Sequence, residues 1–420
     1  MISLFILKPM GRGVKYGVGT YLKQLSYSLM KYEILNIFIV NYMSDRHKEI
    51  KIISELPRYT EIYIPPPCIP FKSEKHEQKY ADRIVDFLIP FIHRNPYHIV
   101  HVNYFDSLWI VESLKSRFSS KVISVIHIAQ WQFEYNGNKK KLLKNWTLSN
   151  NFVGMKSIEK EKRLYEISDK IITVTSYMKS FIMNYYQIPE DKLIVIYNGI
   201  NISGFIKLSD KDKEVLKQSF GFRKDEKIIL YAGRLEDSKG VNFLINAFIE
   251  VIEQYSNVRL VIAGDDTGKE KISQYLSQCN NLWGKITFTG FLEKKLLEKI
   301  YQIADIGVIP SIYDQCSYVA LEMIGYNIPL IISDTDGLNE ILKKNQAIFL
   351  NQSIDNEGNV FFERNEISNA ILTLLKDDGS ITNSLTYNYS NILRTRFSSD
   401  RMGKEYYLSL LHLLAIEAKT

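Results

Sequence analysis

The sequence predicts an α/β protein of two doubly wound domains, each with a parallel sheet between layers of helices. The first observation is length, because 420 residues exceed the roughly 250–300 residues at which one hydrophobic core stops growing. The second is the recurrence of short, continuous β-branched runs, which are typical of strands buried on both faces. The third is the helical segment that follows most of these runs, as in Rossmann-like βα units.

The predicted strands fall into two groups. They cover residues 2–7, 34–40, 99–102, 122–126, 171–174 and 193–196 in the first half, and 228–231, 260–262, 286–288, 306–309 and 330–332 in the second. Asn198-Gly199 is a turn signal, and a polar, charge-rich stretch follows it. We therefore expect domains over 1–200 and 201–395, and a C-terminal segment over 396–420.

The C-terminal segment is expected to form a helix from Asp400 to Ala418. Its apolar positions recur at intervals of three and four residues, which predicts one buried stripe. The stripe consists of Tyr406, Leu410, Leu413 and Leu414.

Composition limits the partners and the compartment. The formal net charge is only +6, which argues against nucleic acid and suits a diphosphate or loose contact with an anionic membrane surface. Cys68, Cys279 and Cys316 show neither metal nor disulfide spacing. The N-terminus lacks a basic leader, and no apolar run approaches the ~18 residues of a membrane span. We expect a cytoplasmic protein, with peripheral membrane contact and oligomeric state left open.

The first motif is Gly17-Val18-Gly19, which follows the first predicted strand and precedes a helix expected over 20–31. Glycines there let the backbone approach a ligand, and a helix N-terminus offers N–H groups to an anion. On its own, the motif could equally be a tight strand-to-helix turn.

The second motif is Gly233-Arg234-Leu235, with Lys239-Gly240 close behind. It lies between the strand 228–231 and a helix expected over 241–255. Two cations at the carboxyl end of a parallel strand suit a diphosphate, with Arg as a fork and Lys as a point charge. Spacing alone favours a pair of solvated loop charges.

The third motif is the segment from Pro310 to Ser317, which leads into a helix over 318–325. Asp314 follows a buried strand, and Glu322 lies on the helix. Carboxylates accept hydrogen bonds from sugar hydroxyls. Without a ligand, Asp314 is a helix-start acid. Glu322 lies in so apolar a run that it needs a partner.

Four further features carry weaker signals. His127 follows a predicted strand and is more readily a core or loop histidine than a functional one. His101 falls at a strand end and is expected only to line the sheet edge. Trp131 and Tyr135 could stack on sugars or pack on their own domain. The basic and apolar segment 139–146 could touch a membrane, although a solvated basic helix is the favoured interpretation.

Taken together, the motifs resemble the family 4 glycosyltransferases of the GT-B fold. The resemblance is carried by YGVGTYL near the start, SDKIITVTSYMKSFI at 168–182 and LIVIYNGIN at 193–201. It is strongest from Lys227 to Asp334, through KIILYAGRLEDSKGVNFLINAF, VRLVIAGD, ITFTGFL and ADIGVIPSIYDQCSYVALEMIGYNIPLIISD. It implies two Rossmann-like domains facing a central cleft, with the C-terminal helix returning to the N-terminal domain.

The resemblance also implies roles for residues. Arg234 and Lys239 match the basic pair that holds the donor diphosphate, and Glu322 matches the acid that accepts from the ribose. Asp314 matches the acid that touches the donor sugar, and His127 a histidine on the sugar and acceptor side. The remaining residues expected at the donor are Gly17, Val18, Gly19, Gly233, Cys316, Ser317 and Tyr318.

The implied reaction is transfer of a hexosyl or N-acetylhexosaminyl group, with retained configuration and without a metal or other cofactor. The favoured donor is a UDP-sugar. The acceptor is a hydroxyl of a saccharide, a lipid-linked glycan or a peptide.

Three positions depart from the family pattern. Asp314 replaces a glutamate, Cys316-Ser317 replaces Phe-Gly, and Asn201 replaces an acidic residue. The Asp-Gln-Cys-Ser-Tyr variant looks like a smaller bacterial subgroup. These departures motivate an alternative, in which the chain is a catalytically weak GT-B scaffold that binds an acceptor protein for a partner enzyme. A GT-B epimerase, the third hypothesis, would lack the paired carboxylates.

Overall fold

The chain forms two compact α/β units. The computed structural model describes residues 1–10, 16–148, 156–266, 270–279, 282, 284–363 and 365–415. Unit 1 comprises Met1–Gln130, Asn145–Gly199 and Ser399–Thr420, and unit 2 comprises Trp131–Lys144 and Ile200–Ser398. Among the described residues, no helix has the length and apolarity needed to span a membrane.

Unit 1 contains an eight-stranded sheet in the order β3-β4-β2-β1-β5-β6-β7-β8. All neighbouring strands are parallel except β3 and β4. The strands are β1 (Ile2–Pro9), β2 (Leu35–Tyr42), β3 (Lys51–Leu56), β4 (Tyr59–Tyr63), β5 (Tyr97–Val102), β6 (Lys121–Ile126), β7 (Lys170–Thr173) and β8 (Leu193–Val195). The central strands are buried along nearly their whole length, as their continuous apolar runs predict.

The helices that complete unit 1 pack on this sheet and on each other. They are α1 (Gly17–Leu29), α2 (Glu74–Ile92), α3 (Leu108–Arg117), α6 (Lys156–Ile167), α7 (Ser176–Tyr185) and α16 (Ser399–Leu413). Two further helices, α4 (Gln130–Glu134) and α5 (Lys139–Leu148), include the segment that belongs to unit 2.

The last helix returns to unit 1, as predicted, but its bounds and its buried face differ from the prediction. It runs from Ser399 to Leu413, and residues 416–418 of the predicted helix lie outside the described residues. Tyr406 and Leu410 are fully buried, whereas Leu413 and Leu414 are only half-buried. The reason is the close approach to α1: a Cβ added at Gly403 would lie 2.3 Å from Ser28 Oγ, so the contact face is centred one turn earlier.

Unit 2 contains a six-stranded parallel sheet in the order β11-β10-β9-β12-β13-β14, and a separate hairpin. The strands are β9 (Lys227–Ala232), β10 (Val258–Ala263), β11 (Ile286–Gly290), β12 (Ile306–Ile309), β13 (Leu330–Ser333), β14 (Ile348–Leu350), β15 (Gln352–Ile354) and β16 (Val360–Phe362). The helices are α8 (Asp210–Ser219), α9 (Val241–Gln254), α10 (Glu270–Gln278), α11 (Lys294–Ile303), α12 (Tyr318–Gly325), α13 (Glu366–Leu375), α14 (Ser380–Thr386) and α15 (Tyr389–Arg396). The predicted fold class is confirmed in both units.

Candidate functional site

The loops after β9 and β12 meet at one edge of the sheet in unit 2. These strands are parallel neighbours, with Ile229 paired to Ile306 and Leu230 to Gly307, so their carboxyl ends open on the same side. Lys239 Nζ lies 2.9 Å from Asp314 Oδ2, and each side chain is only 18% exposed. Two predicted site residues from different motifs are therefore in direct contact, at the edge where open α/β sheets bind ligands.

Glycine allows the two loops to come this close. Gly240 has φ of 68°, and a Cβ placed there would lie 1.9 Å from the carbonyl oxygen of Pro310. The backbone N–H of Ile312 donates to the carbonyl of Ser238 at 2.8 Å, which ties the loops together. The glycine after Lys239 is thus required both by its backbone conformation and by the close approach.

Asp314 is held by its own loop as well as by Lys239. Its Oδ1 accepts from the backbone N–H of Gln315 at 2.9 Å, and Ser311 Oγ donates to Oδ2 at 3.4 Å. Helix α12 begins only at Tyr318, and Ser317 caps it. The interpretation of Asp314 as a helix-start acid is therefore wrong, because it lies four residues before the helix.

Arg234 lies at the same edge with a different partner. Its Nη1 is 2.8 Å from Glu236 Oε1, and both side chains are one-quarter exposed. The hydroxyl of Tyr231 donates to the Arg234 carbonyl at 2.6 Å, which fixes the backbone just after Gly233. Burial raises the pKa of Tyr313 to about 12, and Arg234, Glu236 and Asp314 all act on that hydroxyl. Arg234 and Asp314 therefore share the surroundings of one tyrosine.

Glu322 receives the partner that its apolar surroundings require. The hydroxyl of Tyr301, on α11, donates to Glu322 Oε2 at 2.9 Å. Burial raises the pKa of the Glu322 carboxyl, and the hydrogen bond from Tyr301 acts in the opposite direction. The acid lies in the second turn of α12, so the helix that follows the Asp314 loop also positions Glu322.

The residues between these two acids contribute mainly through the backbone. Cys316 and Tyr318 are buried, with 4% and 7% exposed. Ser317 Oγ accepts from the N–H of Ala320 at 3.4 Å. The chemistry that this segment offers a ligand is therefore the N-terminal N–H groups of α12, which lack acceptors within the helix.

The glycine motif of unit 1 lies inside a helix. Helix α1 begins at Gly17, three residues before the predicted start, so Gly17, Val18 and Gly19 form its first turn. The first hydrogen bond of the helix runs from Thr20 N to the Tyr16 carbonyl. The N–H groups of the three motif residues consequently point out of the helix end, where an anion is favoured.

His127 is the end of a hydrogen-bonded chain that begins on the last helix. Tyr406 OH lies 2.5 Å from His101 Nδ1, and His101 Nε2 lies 3.1 Å from Asn103 Oδ1. The same Asn103 oxygen lies 3.0 Å from His127 Nε2. The ring of Tyr21, on α1, contacts the His127 ring edge-on at 4.5 Å between centroids. We call Tyr406, His101, Asn103 and His127 the histidine chain.

The orientation of the Asn103 amide determines the tautomers of both imidazoles. With its oxygen toward the two rings, as here, both Nε2 atoms carry a proton, because an amide oxygen only accepts. Burial lowers the pKa of His101 to about 4 and, together with His101, that of His127 to about 3. Both rings are therefore neutral at physiological pH, His101 Nδ1 accepts from Tyr406, and His127 Nδ1 is left as an acceptor.

The structure decides one alternative that the sequence left open. Trp131 is 2% exposed, so it packs in the protein interior and offers no face for stacking on a sugar. Lys139, Lys140 and Lys141 are exposed on α5, which both interpretations of the basic segment require, and Lys140 Nζ donates to the Asn356 carbonyl at 2.6 Å. Helix α5 is held partly by unit 2.

The sequence predicts the charged and titratable residues of these networks but not the partners that hold them. Tyr301 and Asn103 contact a predicted site residue directly, and Tyr406 is linked to His127 through His101 and Asn103. His101 was considered only as a sheet-edge residue, yet it is fully buried. The available signal was the alternation of His101 and Asn103 at a strand end, which places both side chains on one face of the sheet.

Comparison with known proteins agrees with this geometry. A family model described as "Glycosyltransferase Family 4" matches residues 17–203, and one described as "Glycosyl transferases group 1" matches residues 212–390. The fold resembles sucrose-phosphate synthase from Thermosynechococcus elongatus, with a TM-score of 0.76, 19% identity and 99% of each chain covered. It also resembles Anabaena HepE in complex with UDP and glucose, with a TM-score of 0.72, 15% identity, and 97% of this chain and 98% of that chain covered.

Curated relatives match over shorter stretches. A glycosyltransferase of Methanocaldococcus jannaschii, itself described as uncharacterized, is 39% identical over 177 residues, which are 42% of this chain and 45% of that protein. Mannosylfructose-phosphate synthase of Agrobacterium fabrum is 27% identical over 188 residues, or 43% of this chain and 41% of that protein. The matched part thus spans less than half the length of these relatives.

The two sheets and the likeness to these structures over nearly the whole chain define a GT-B fold. The chain belongs to the family 4 glycosyltransferases, whose two domain models together span most of it.

Proposed function

We propose that this protein transfers a hexosyl or N-acetylhexosaminyl group from a UDP-sugar, with retention of configuration, to a hydroxyl of a saccharide, lipid-linked glycan or peptide. The observation that carries the proposal is the contact of Lys239 with Asp314 at the edge that also holds Arg234. Cations for a diphosphate and an acid for a sugar therefore lie on two loops that meet at one edge of the sheet. The UDP and glucose of the HepE complex support the choice of donor.

In the proposed reaction, the bond between the sugar C1 and the diphosphate oxygen breaks, and its electron pair stays on the diphosphate. Arg234 and Lys239 face the charge that grows there, and they lower the barrier because they are already held in place. The acceptor oxygen bonds to C1, and its proton passes to the diphosphate oxygen that has just left C1. The two side-chain cations supply the positive charge at the diphosphate, so the proposal includes no metal.

The remaining residues position the donor. Glu322 accepts from the ribose hydroxyls, Asp314 accepts from the donor sugar, and the N–H groups of Gly17, Val18 and Gly19 approach the phosphates. The neutral His127 offers Nδ1 as an acceptor for a sugar or acceptor hydroxyl, which a protonated imidazole could not do.

A panel of nucleotide-sugars tests the proposal. Each is assayed for hydrolysis and for thermal stabilisation of the protein, with UDP-glucose, UDP-N-acetylglucosamine, GDP-mannose and ADP-glucose as probes. We expect a UDP-sugar to be hydrolysed and to raise the Tm. Turnover of no UDP-sugar, with or without stabilisation by UDP, would contradict the proposal and would favour the scaffold alternative.

A further inference from the structure

Unit 1 contains a pocket of about 380 Å³ at the carboxyl edge of its sheet. Pro9 ends β1, Tyr42 ends β2, and Tyr104 to Asp106 follow β5, and these strands are adjacent. Helices α2, α3 and α6 complete the wall. The volume falls within the roughly 300–1,000 Å³ of small-molecule sites.

The pocket is walled largely by aromatic side chains, and three of them use their polar groups within the protein. Trp109 Nε1 donates to Glu77 Oε2 at 2.8 Å, and Tyr80 OH donates to the Pro65 carbonyl at 2.8 Å. Tyr42 OH is hydrogen-bonded to Ser107 Oγ at 3.0 Å. Phe71 and Phe105 add two further rings. These residues therefore offer a ligand mostly ring carbon, which suits the C–H face of a sugar.

The charges of the pocket sum to one negative charge. Lys160 Nζ is 2.8 Å from Glu77 Oε2, so these two groups compensate each other. Burial alone would raise the pKa of Glu77, but hydrogen bonds from Lys160 and Trp109 outweigh it and lower the pKa. The Asp106 carboxylate also lines the pocket and has no hydrogen bond or ion pair to a described residue. Burial raises the pKa of Asp106, and the charge of Lys160 acts in the opposite direction. An ionised carboxylate in this position attracts hydroxyl or ammonium donors and repels anions.

The pocket and the histidine chain share the short backbone segment that follows β5. Asn103, which accepts from His127 Nε2 at 3.0 Å, directly precedes Tyr104 and the turn Phe105–Ser107 that carries Asp106. A ligand held against Asp106 is thus held by the same short segment that fixes His127.

We propose that this pocket binds the acceptor through a hydroxyl-rich ring without negative charge. One face of the ring lies on the aromatic wall, and one hydroxyl donates to Asp106. The inference rests on the proposed function for the meaning of "acceptor", but it adds the pocket, the chemical class and the contact residue. It disfavours phosphorylated and uronic acid acceptors.

Saturation-transfer NMR tests the inference on the full chain. The probes are the methyl glycosides of glucose, galactose, mannose and N-acetylglucosamine, compared with methyl glucuronoside and glucose 6-phosphate. We expect at least one neutral glycoside to bind more tightly than both anions. Asp106→Asn should weaken that glycoside about tenfold, the effect of losing a charged acceptor. Asp86→Asn, which changes a carboxylate outside the pocket, should leave it unchanged.

Two outcomes overturn the inference. In the first, Asp106→Asn weakens the binding of none of the neutral glycosides. In the second, an anionic probe binds more tightly than every neutral glycoside. UDP binding is measured in parallel by thermal shift. If the wild-type protein turns over a UDP-sugar but binds no neutral glycoside, the assignment of the pocket is wrong and the proposed function stands. If it binds a glycoside but turns over no UDP-sugar, the proposed function is wrong and the assignment of the pocket stands.

Discussion

The hydroxyl of Tyr406 lies 2.5 Å from His101 Nδ1, although the two residues are 305 positions apart. This contact joins the last helix to the end of β5 inside unit 1. Through His101 and Asn103 the contact is linked to His127, so a helix at the C-terminus helps to position a predicted catalytic residue. The relation gives α16 a role beyond covering apolar surface.

Replacing Tyr406 with Phe should impair the transferase more than the fold. The change leaves the buried Nδ1 of His101 without its donor, at a cost of about 1–3 kcal/mol in unfolding free energy. It also removes a hydrogen bond that orients the His101 ring, and His101 is linked through Asn103 to His127, so we expect kcat to fall about tenfold with little change in donor KM. Steady-state kinetics and ¹⁵N NMR of the histidine rings are the measurements.

Tyr407→Phe is the matched control for Tyr406→Phe. Tyr407 lies next along the helix and stacks on Tyr32 at 3.8 Å between centroids, a contact that phenylalanine keeps. Equal kinetics and unchanged histidine tautomers in both variants would show that Tyr406 only packs.

His127 should stay neutral throughout the assay range. Burial, then His101, lowers its pKa to about 3, below the ordinary value of 6.5. The unfolded chain takes up a proton near 6.5 while the folded chain does not, so this group costs stability as the pH falls below about 6.5. In an NMR titration from pH 5 to 8, the chemical shifts of the His127 ring should not change. A midpoint near 6.5 in the folded protein would contradict the buried, neutral assignment.

Glu161 should make unit 1 less stable as the pH rises. An acid in a surface ion pair has the opposite effect, because folding lowers its pKa. Burial raises its pKa to about 7, although Tyr186, Gln130 N and Tyr165 donate to it. The folded state therefore binds the proton more tightly than the unfolded state, and a penalty develops as the pH rises from about 4.5 to 7. The Tm of Glu161→Gln relative to the wild type should increase between pH 5 and 8.

The exposed neighbour Glu159 provides the comparison for Glu161. Glu159→Gln should leave the pH dependence of Tm unchanged. A parallel pH dependence for Glu161→Gln and the wild type would mean that Glu161 is ionised in the folded protein without penalty.

Asp314→Glu should change donor preference and leave UDP affinity intact. The longer acid extends the carboxylate by about 1.5 Å, one C–C bond, and must displace either the Lys239 contact or the Gln315 N–H contact. We expect the ratio of kcat/KM between two UDP-sugars to change severalfold. Unchanged ratios in both Asp314→Glu and Asp314→Ala would remove Asp314 from the sugar site.

The sequence predicts those strands whose burial follows directly from a continuous apolar run. Strands β1 and β9 are continuous apolar runs, and burial on both faces is what such runs mean. Strand β3 was missed because it is an exposed edge strand with few buried residues. Helix α8 was read only as a polar stretch, since its link to the core runs through salt bridges of Lys213 and Lys217 to Asp305 rather than an apolar stripe.

For the site, the sequence predicts which residues carry charge but not which partner each one takes. Lys239 and Asp314 are 75 positions apart, and their contact depends on the pairing of β9 with β12. No local pattern encodes that pairing. The same holds for Glu322, whose apolar surroundings demand a partner without naming Tyr301.

The central claim is that this edge of unit 2 stabilises the charge on a leaving diphosphate. The most direct test is the turnover of a UDP-sugar by Lys239→Ala and Arg234→Ala. Each variant should lower kcat by about 10²–10³, the usual effect of removing one group that faces transition-state charge. Lys295→Ala, which removes an exposed lysine of α11, should stay within twofold of the wild type. Rates within a few-fold of the wild type for Lys239→Ala and Arg234→Ala would contradict the account.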